Sequence, residues 1–205
     1  MENKNSTIGI TGGIGSGKSV VSRVLRCNGF PVYDCDFEAK YIMVTDPEVK
    51  QSLIKRLGKD IYETDGSLNR RKLSSLLFKD NEVRNYVNGI VHSAVREDIK
   101  RKRSFITGKF FIESAIIVTG GLESLCNEIW IINAPLEKRI ERVIKRDSTD
   151  RKSVEERINT QQAELTLIKN TKIIELQNND FTPLLPLILK LTHKFNNHKT
   201  YSISC

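Results

Sequence analysis

The sequence predicts an α/β fold, a five-stranded parallel sheet flanked by helices, with an inserted helical lobe and a lid. Three observations predict it. A glycine-rich loop, Gly12-Gly13-Ile14-Gly15-Ser16-Gly17-Lys18-Ser19, lies between a strand pattern and a helical one. Strand, helix and strand follow one another within about thirty residues, which is one βαβ unit with parallel strands. Roughly sixty-five residues of helical pattern then separate the second strand from the third, too many for a simple crossover.

The loop fits G-x-x-x-x-G-K-[ST], and each residue type has a mechanical reason. Glycines let consecutive N–H groups turn inward around a polyphosphate. Lys18 brings positive charge to the outer phosphates, and the Ser19 hydroxyl suits a bridging Mg2+. The helix that follows adds the positive end of its dipole. A dinucleotide-binding fingerprint does not fit, because its third glycine would fall on Lys18.

Ser6–Thr11 reads as the buried strand before the loop, and residues 19–28 as a helix with Val20, Val21, Val24 and Leu25 on its apolar stripe. Gly29 suits the helix end. Residues 30–33 read as the second strand. Asp34 and Asp36 follow at its carboxyl end, where open α/β sheets bind ligands. Strand alternation predicts both side chains on one side. A carboxylate there can take a proton from a substrate hydroxyl or help to hold Mg2+.

Residues 37–103 read as helices. One covers residues 49–57 and ends at Gly58. A turn at Thr64-Asp65-Gly66-Ser67 follows, then a helix capped by Asn69. A longer helix, capped by Asn81, carries Val83, Val87, Ile90, Val91, Val95 and Ile99 at 3.6-residue spacing. His92 sits near its apolar face, and the run Lys100-Arg101-Lys102-Arg103 reads as a solvated face. Residues 109–117 read as the third strand, with Glu113 as a candidate metal-organising carboxylate. A short helix at 120–126 and a fourth strand at 128–134 come next. Pro135 opens a helix running to Asp147. A polar break at 148–152 precedes a capping box at Ser153-Val154-Glu155-Glu156. A helix, a basic break and another helix suit a mobile lid that brings arginines to phosphates. Lys172–Gln177 is the fifth strand, and Thr182-Pro183 starts the last helix.

The chain has 205 residues, net charge +8 and an ordinary soluble composition. No apolar run approaches a membrane span and the start is no signal peptide, so a cytoplasmic protein is expected. Cys27, Cys35, Cys126 and Cys205 share no C-x-x-C spacing, and His92, His193 and His198 form no metal cluster with them. The basic residues between Arg139 and Arg157 lack the interleaved aromatics of a single-strand binder. No guanine-reading Asn-Lys-x-Asp follows a strand. A monomer or weak homo-oligomer without nucleic-acid or membrane partners is expected.

These motifs resemble the dephospho-coenzyme A kinase family from Ile8 to about Leu191. The residues from Gly9 to Ser19 are similar to its G-L-T-G-G-I-G-S-G-K-S, and Val32-Tyr33-Asp34-Cys35-Asp36 to its V-I-D-A-D. Ala134-Pro135, Arg146-Asp147, Arg157 and Gln161 resemble its A-P…R-D…R-I…Q, and Asn179-Asp180 its Asn-Asp or Asn-Gly after the last strand. Val20 replaces a usual Thr, Ser93 the proline of a His-Pro pair, and Glu113-Ser114-Ala115 an Asp-Ile-Pro.

The resemblance implies a P-loop kinase fold and transfer of the ATP γ-phosphate to the ribose 3′-hydroxyl of dephospho-coenzyme A. It implies a nucleotide-binding core at 6–36 and 108–195, an acceptor-binding lobe at 37–107 and a lid at 146–165. Asp36, Lys18 and Arg146 are then the expected catalytic residues. ATP is expected on Gly12, Gly13, Ile14, Gly15, Ser16, Gly17, Lys18, Ser19, Val20, Arg146 and Asn179. The acceptor is expected on Asp34, Asp36, His92, Glu113, Arg157 and Gln161, and Mg2+ on Ser19 and Glu113. A nucleoside monophosphate or shikimate kinase is the neighbouring reading.

Overall fold

The central strands are apolar on both faces, so both faces must be covered. The computed structural model describes residues 5–193 other than 170, 180 and 182. Asp180, Thr182, His198 and Cys205 lie outside the described residues. Strands β1 (Ser6–Thr11), β2 (Val32–Asp34), β3 (Lys109–Glu113), β4 (Glu128–Asn133) and β5 (Lys172–Gln177) form one sheet in the order β2-β3-β1-β4-β5. Every pairing is parallel, as expected. The central β1 has β3 on one side and β4 on the other, so the chain reverses its direction of travel across the sheet there.

Helices α1 (Lys18–Cys27) and α8 (Leu184–His193) cover one face. Their Val21, Leu25 and Ile188 pack on Ile8, Ile10, Phe111 and Trp130. The other face carries α2 (Cys35–Thr45), α3 (Pro47–Leu57), α4 (Arg70–Lys79) and α5 (Asn81–Ser104). Val87, Val91, Val95 and Ile99 repeat every four residues on α5 and belong to the core that includes Phe110, Ile112, Ile129 and Ile131. Helices α6 (Leu136–Asp147) and α7 (Arg151–Thr166) form a third unit beside the glycine loop.

Several local expectations are corrected. The third strand stops at Glu113, and residues 123–125 form only a 3-10 turn. Asp80, not Asn81, caps α5, accepting from Glu82 and Val83 N–H. Asp150, not Ser153, caps α7 and accepts from Ser153 N–H and Oγ. Pro135 is the cap residue before α6 rather than its first residue. The run 100–103 is not simply a solvated face. Lys102 pairs with Glu38 at 2.8 Å and Asp98 at 3.0 Å, and Asp98 also accepts from Tyr33 OH at 2.9 Å. Arg103 donates to Thr7 Oγ1 and to the Ile106 and Gly108 carbonyls. These contacts tie the end of α5 to α2 and to the start of β1 and β3.

Candidate active site

Strand register brings the acidic residues to the loop. Glu113 pairs with Ile10 on one side and Asp34 on the other, so both carboxylates stand at the carboxyl edge of the sheet. Asp34 and Asp36 do not continue an alternating strand, because α2 begins between them. Asp34 spends one oxygen accepting from Phe37 N–H, and Asp36 lies in the first turn of α2. The two aspartates thus have different work: one caps, the other is exposed toward the cavity.

The glycine loop is held from outside by its carbonyls. Arg139 Nε donates to Ile14 O at 3.0 Å, Arg142 Nη1 to Gly15 O at 3.3 Å, and Asn178 Nδ2 to Ser16 O at 2.7 Å. Gln161 Oε1 accepts from Ile14 N–H at 2.6 Å. The N–H groups of Gly15, Gly17, Lys18 and Ser19 meet no acceptor among the described residues, and the buried Ser16 hydroxyl has none either. Inward-turned N–H groups at a helix N-terminus suit an anion, so this set fits a polyphosphate. Gly15 and Gly17 are among the glycines that geometry requires. Gly15 has φ +78°, and a Cβ there would lie 2.5 Å from Arg139 O. Gly17 has φ +102°, and a Cβ would lie 2.2 Å from Asn178 Nδ2.

A cavity of about 600 Å³ opens over this loop. It brings together Lys18, Ser19, Val20, Asp34, Asp36, Glu113, Arg146, Arg157 and Gln161. Lys18 Nζ donates to Gly12 O at 2.7 Å. Burial lowers its pKa, while the charges of Glu113 and Asp36 favour the ammonium. Burial raises the Glu113 pKa, while the Lys18 charge favours the carboxylate. Arg146 holds Asp147 through Nε at 2.6 Å and Nη2 at 3.0 Å, and Arg157 Nη1 joins at 3.2 Å. The hydrogen bond from Arg146 is the main cause that brings the Asp147 carboxyl down to about 2. A hydroxyl and carboxylates are the hard oxygen donors Mg2+ prefers, and Mg2+ commonly completes its shell with waters and substrate phosphates. Ser19 and Glu113 therefore fit that ion when a polyphosphate is present.

Glu164 anchors α7 at its far end. It is buried, with Oε1 accepting from Val118 N–H at 2.5 Å and Thr119 N–H at 3.1 Å, and Oε2 from Thr119 Oγ1 at 2.8 Å. Glu164→Ala leaves these donors without a partner, and each unsatisfied group costs about 1–3 kcal/mol. A fall in thermal midpoint is expected, with Glu164→Gln falling less. Equal midpoints for wild type and Glu164→Ala in a melting experiment would refute the anchor.

A family profile for dephospho-CoA kinases matches residues 6–182 of this chain. The chain belongs to the dephospho-CoA kinase family. A dephospho-CoA kinase of Porphyromonas gingivalis is 42% identical over 164 residues, 80% of this chain and 81% of that protein. A crystal structure from Thermus thermophilus superposes with TM-score 0.77 at 32% identity, covering 94% of this chain and 98% of the other. A dephospho-CoA kinase from Campylobacter jejuni, 20% identical, superposes with TM-score 0.66 over 92% of this chain and 96% of its own and shows a likeness of fold.

Within this member of the dephospho-CoA kinase family, five of the expected site residues, Gly12, Gly13, Ser16, His92 and Asn179, do not line the main cavity. His92 lines a second cavity that it shares with Asp36, and burial lowers its pKa. Asn179 accepts from Phe181 N–H at 3.0 Å, and its neighbour Asn178 is the residue that reaches the loop. Gly12 and Gly13 are buried at the start of the loop, with Gly12 O accepting from the Lys18 ammonium. Arg139, Arg142 and Asn178 were not legible as loop supports. Their targets are backbone carbonyls more than a hundred residues away in sequence.

Proposed function

We propose that this kinase transfers the γ-phosphoryl group of ATP to the ribose 3′-hydroxyl of dephospho-CoA, giving CoA and ADP. One observation carries the reading. The unpartnered N–H groups of the loop, with Lys18 and Ser19, share a cavity with the exposed carboxylate of Asp36. A donor phosphate on the loop and an acceptor hydroxyl at Asp36 would then face each other.

In this reading Asp36 accepts the proton of the 3′-hydroxyl as its oxygen bonds to the γ-phosphorus. The bond from that phosphorus to the β–γ bridging oxygen breaks, and ADP keeps the electron pair. Lys18 and the loop N–H groups hold the phosphate oxygens as charge shifts onto the leaving group. Mg2+, when bound at Ser19 and Glu113, supplies neutralisation of the β- and γ-oxygens. Arg146 and Arg157, which pair with Asp147, line the same cavity and would turn toward the phosphates when α6 and α7 act as a lid. The helices α2 to α5 form the acceptor lobe in this proposal.

The residues named for this reaction all come from one chain, and a monomer or weak homo-oligomer is part of the reading. A cytoplasmic setting is supported by the free thiols of Cys27, Cys35 and Cys126. No helix among the described residues is long and apolar enough to cross a membrane.

The test is ADP release from Mg-ATP in the presence of dephospho-CoA, AMP or shikimate, with the product's phosphate located by NMR. Stimulation by dephospho-CoA and a new 3′-phosphate are expected. Stimulation by AMP or shikimate alone would replace this reading with the neighbouring kinase.

A further inference from the structure

Asp36 is the meeting point of more than one cavity. Besides the cavity over the loop, it lines an inner recess of about 410 Å³ walled by Cys35, Val91, His92 and Leu122. A further recess of about 340 Å³ continues outward between α2 and α4 and ends at Arg70. Lys40 lines all three cavities. The inner and outer recesses also share Met43, Leu73 and Leu77. The three cavities therefore adjoin one another in order from the loop, past Asp36 and Lys40, to Arg70.

Helix periodicity gives this series its order. Asp36, Lys40 and Met43 fall on one stripe of α2, and Arg70, Leu73 and Leu77 on one stripe of α4. The Lys40 and Arg70 side chains have no ion pair or hydrogen bond among the described residues. The cations Lys40 and Arg70 thus stand along a wall otherwise contributed largely by apolar side chains. That pattern suits a ligand carrying anionic groups between two less polar ends. Asp36 and Lys40 are separated by about 6 Å along the helix axis. This is comparable to the reach from a ribose 3′-hydroxyl to its own 5′-phosphate.

Building on the proposed reaction, we infer that Lys40 and Arg70 bind the acceptor's pyrophosphate. Its purine then fills the inner recess beside His92, and its pantetheine arm leaves along Met43, Leu68 and Leu73. Arg70 becomes a specificity-determining residue. It distinguishes a nucleoside that carries a 5′-diphosphate ester from a bare nucleoside, while Asp36 sees the same ribose in both.

Calorimetric titration tests this, with ADP present to fill the loop and with dephospho-CoA and adenosine as probes. Arg70 is exposed, so Arg70→Met does not disturb the core. It is expected to weaken dephospho-CoA binding about tenfold or more, the loss of a charge-assisted contact. Adenosine binding is expected to stay within twofold. Lys40→Met is expected to weaken dephospho-CoA in the same direction. Unchanged dephospho-CoA affinity in Arg70→Met would overturn the assignment, as would equal weakening of both probes. Turnover separates this from the proposed function. Wild-type protein that phosphorylates dephospho-CoA while Arg70→Met binds it normally loses only this inference. Wild-type protein that binds it through Arg70 without phosphorylating it loses the reaction instead.

Discussion

Asp36→Asn is expected to lower kcat by about 100-fold or more while ATP affinity stays within a few-fold. The reasoning is local. Asp36 is exposed to the cavity in the first turn of α2, and no hydrogen bond among the described residues holds its carboxylate. Asparagine keeps the size and the polarity but cannot take a proton from a hydroxyl. The fold should not notice, because the α2 cap belongs to Asp34. Steady-state kinetics with both substrates read the outcome directly. A variant within a few-fold of wild-type kcat would mean that the proton goes elsewhere. Asp34→Asn is the informative companion. An asparagine oxygen can still cap Phe37, so a large kcat loss there would identify Asp34 as the base.

Lys18→Ala is expected to lower kcat/KM for ATP by on the order of 10²–10³, through loss of a cation aimed at developing phosphate charge. Lys18 is the loop's own cation, with Nζ donating to Gly12 O. Burial lowers its pKa, and the nearby charges of Glu113 and Asp36 favour the ammonium against that effect. Removing it also relieves a partly buried charge, so thermal stability should not fall in step with activity. Lys18→Arg should not rescue, since the broad guanidinium is a different shape from an ammonium and the loop is packed around the latter. Near-normal kinetics in Lys18→Ala would remove the glycine loop from the donor site altogether.

The parts of this site that were legible in the sequence are those written in short stretches of chain. Gly12 to Ser19 is a local motif, and β1 and β5 have the bounds that their apolar patterns predict. Helix caps were harder, because neighbouring residues compete. Asp80 beside Asn81, and Asp150 before Ser153, are all good acceptors, and only the backbone path chooses between them. The placement of Asp36 was legible as a position but not as a conformation. The residue pattern does not say that α2 starts at Cys35. Arg139, Arg142 and Asn178 were invisible for a different reason. Each recognises a carbonyl, which every residue has, so nothing in the partner's identity marks the contact.

Ile14 is one of the four positions that the motif G-x-x-x-x-G-K-[ST] leaves open, and here it is buried. Its side chain packs with Ile140, Val143, Val154 and Ile158 from α6 and α7, while its N–H is held by Gln161. The loop and these helices consequently share one small core. In evolutionary terms the residue at this position cannot drift alone. A change of volume at 14 calls for a matching change at 143 or 158, and a pair of helices borrowed from a distant kinase would arrive without the hollow that this isoleucine fills. Chimeras that exchange the two helices should recover activity only when position 14 travels with them.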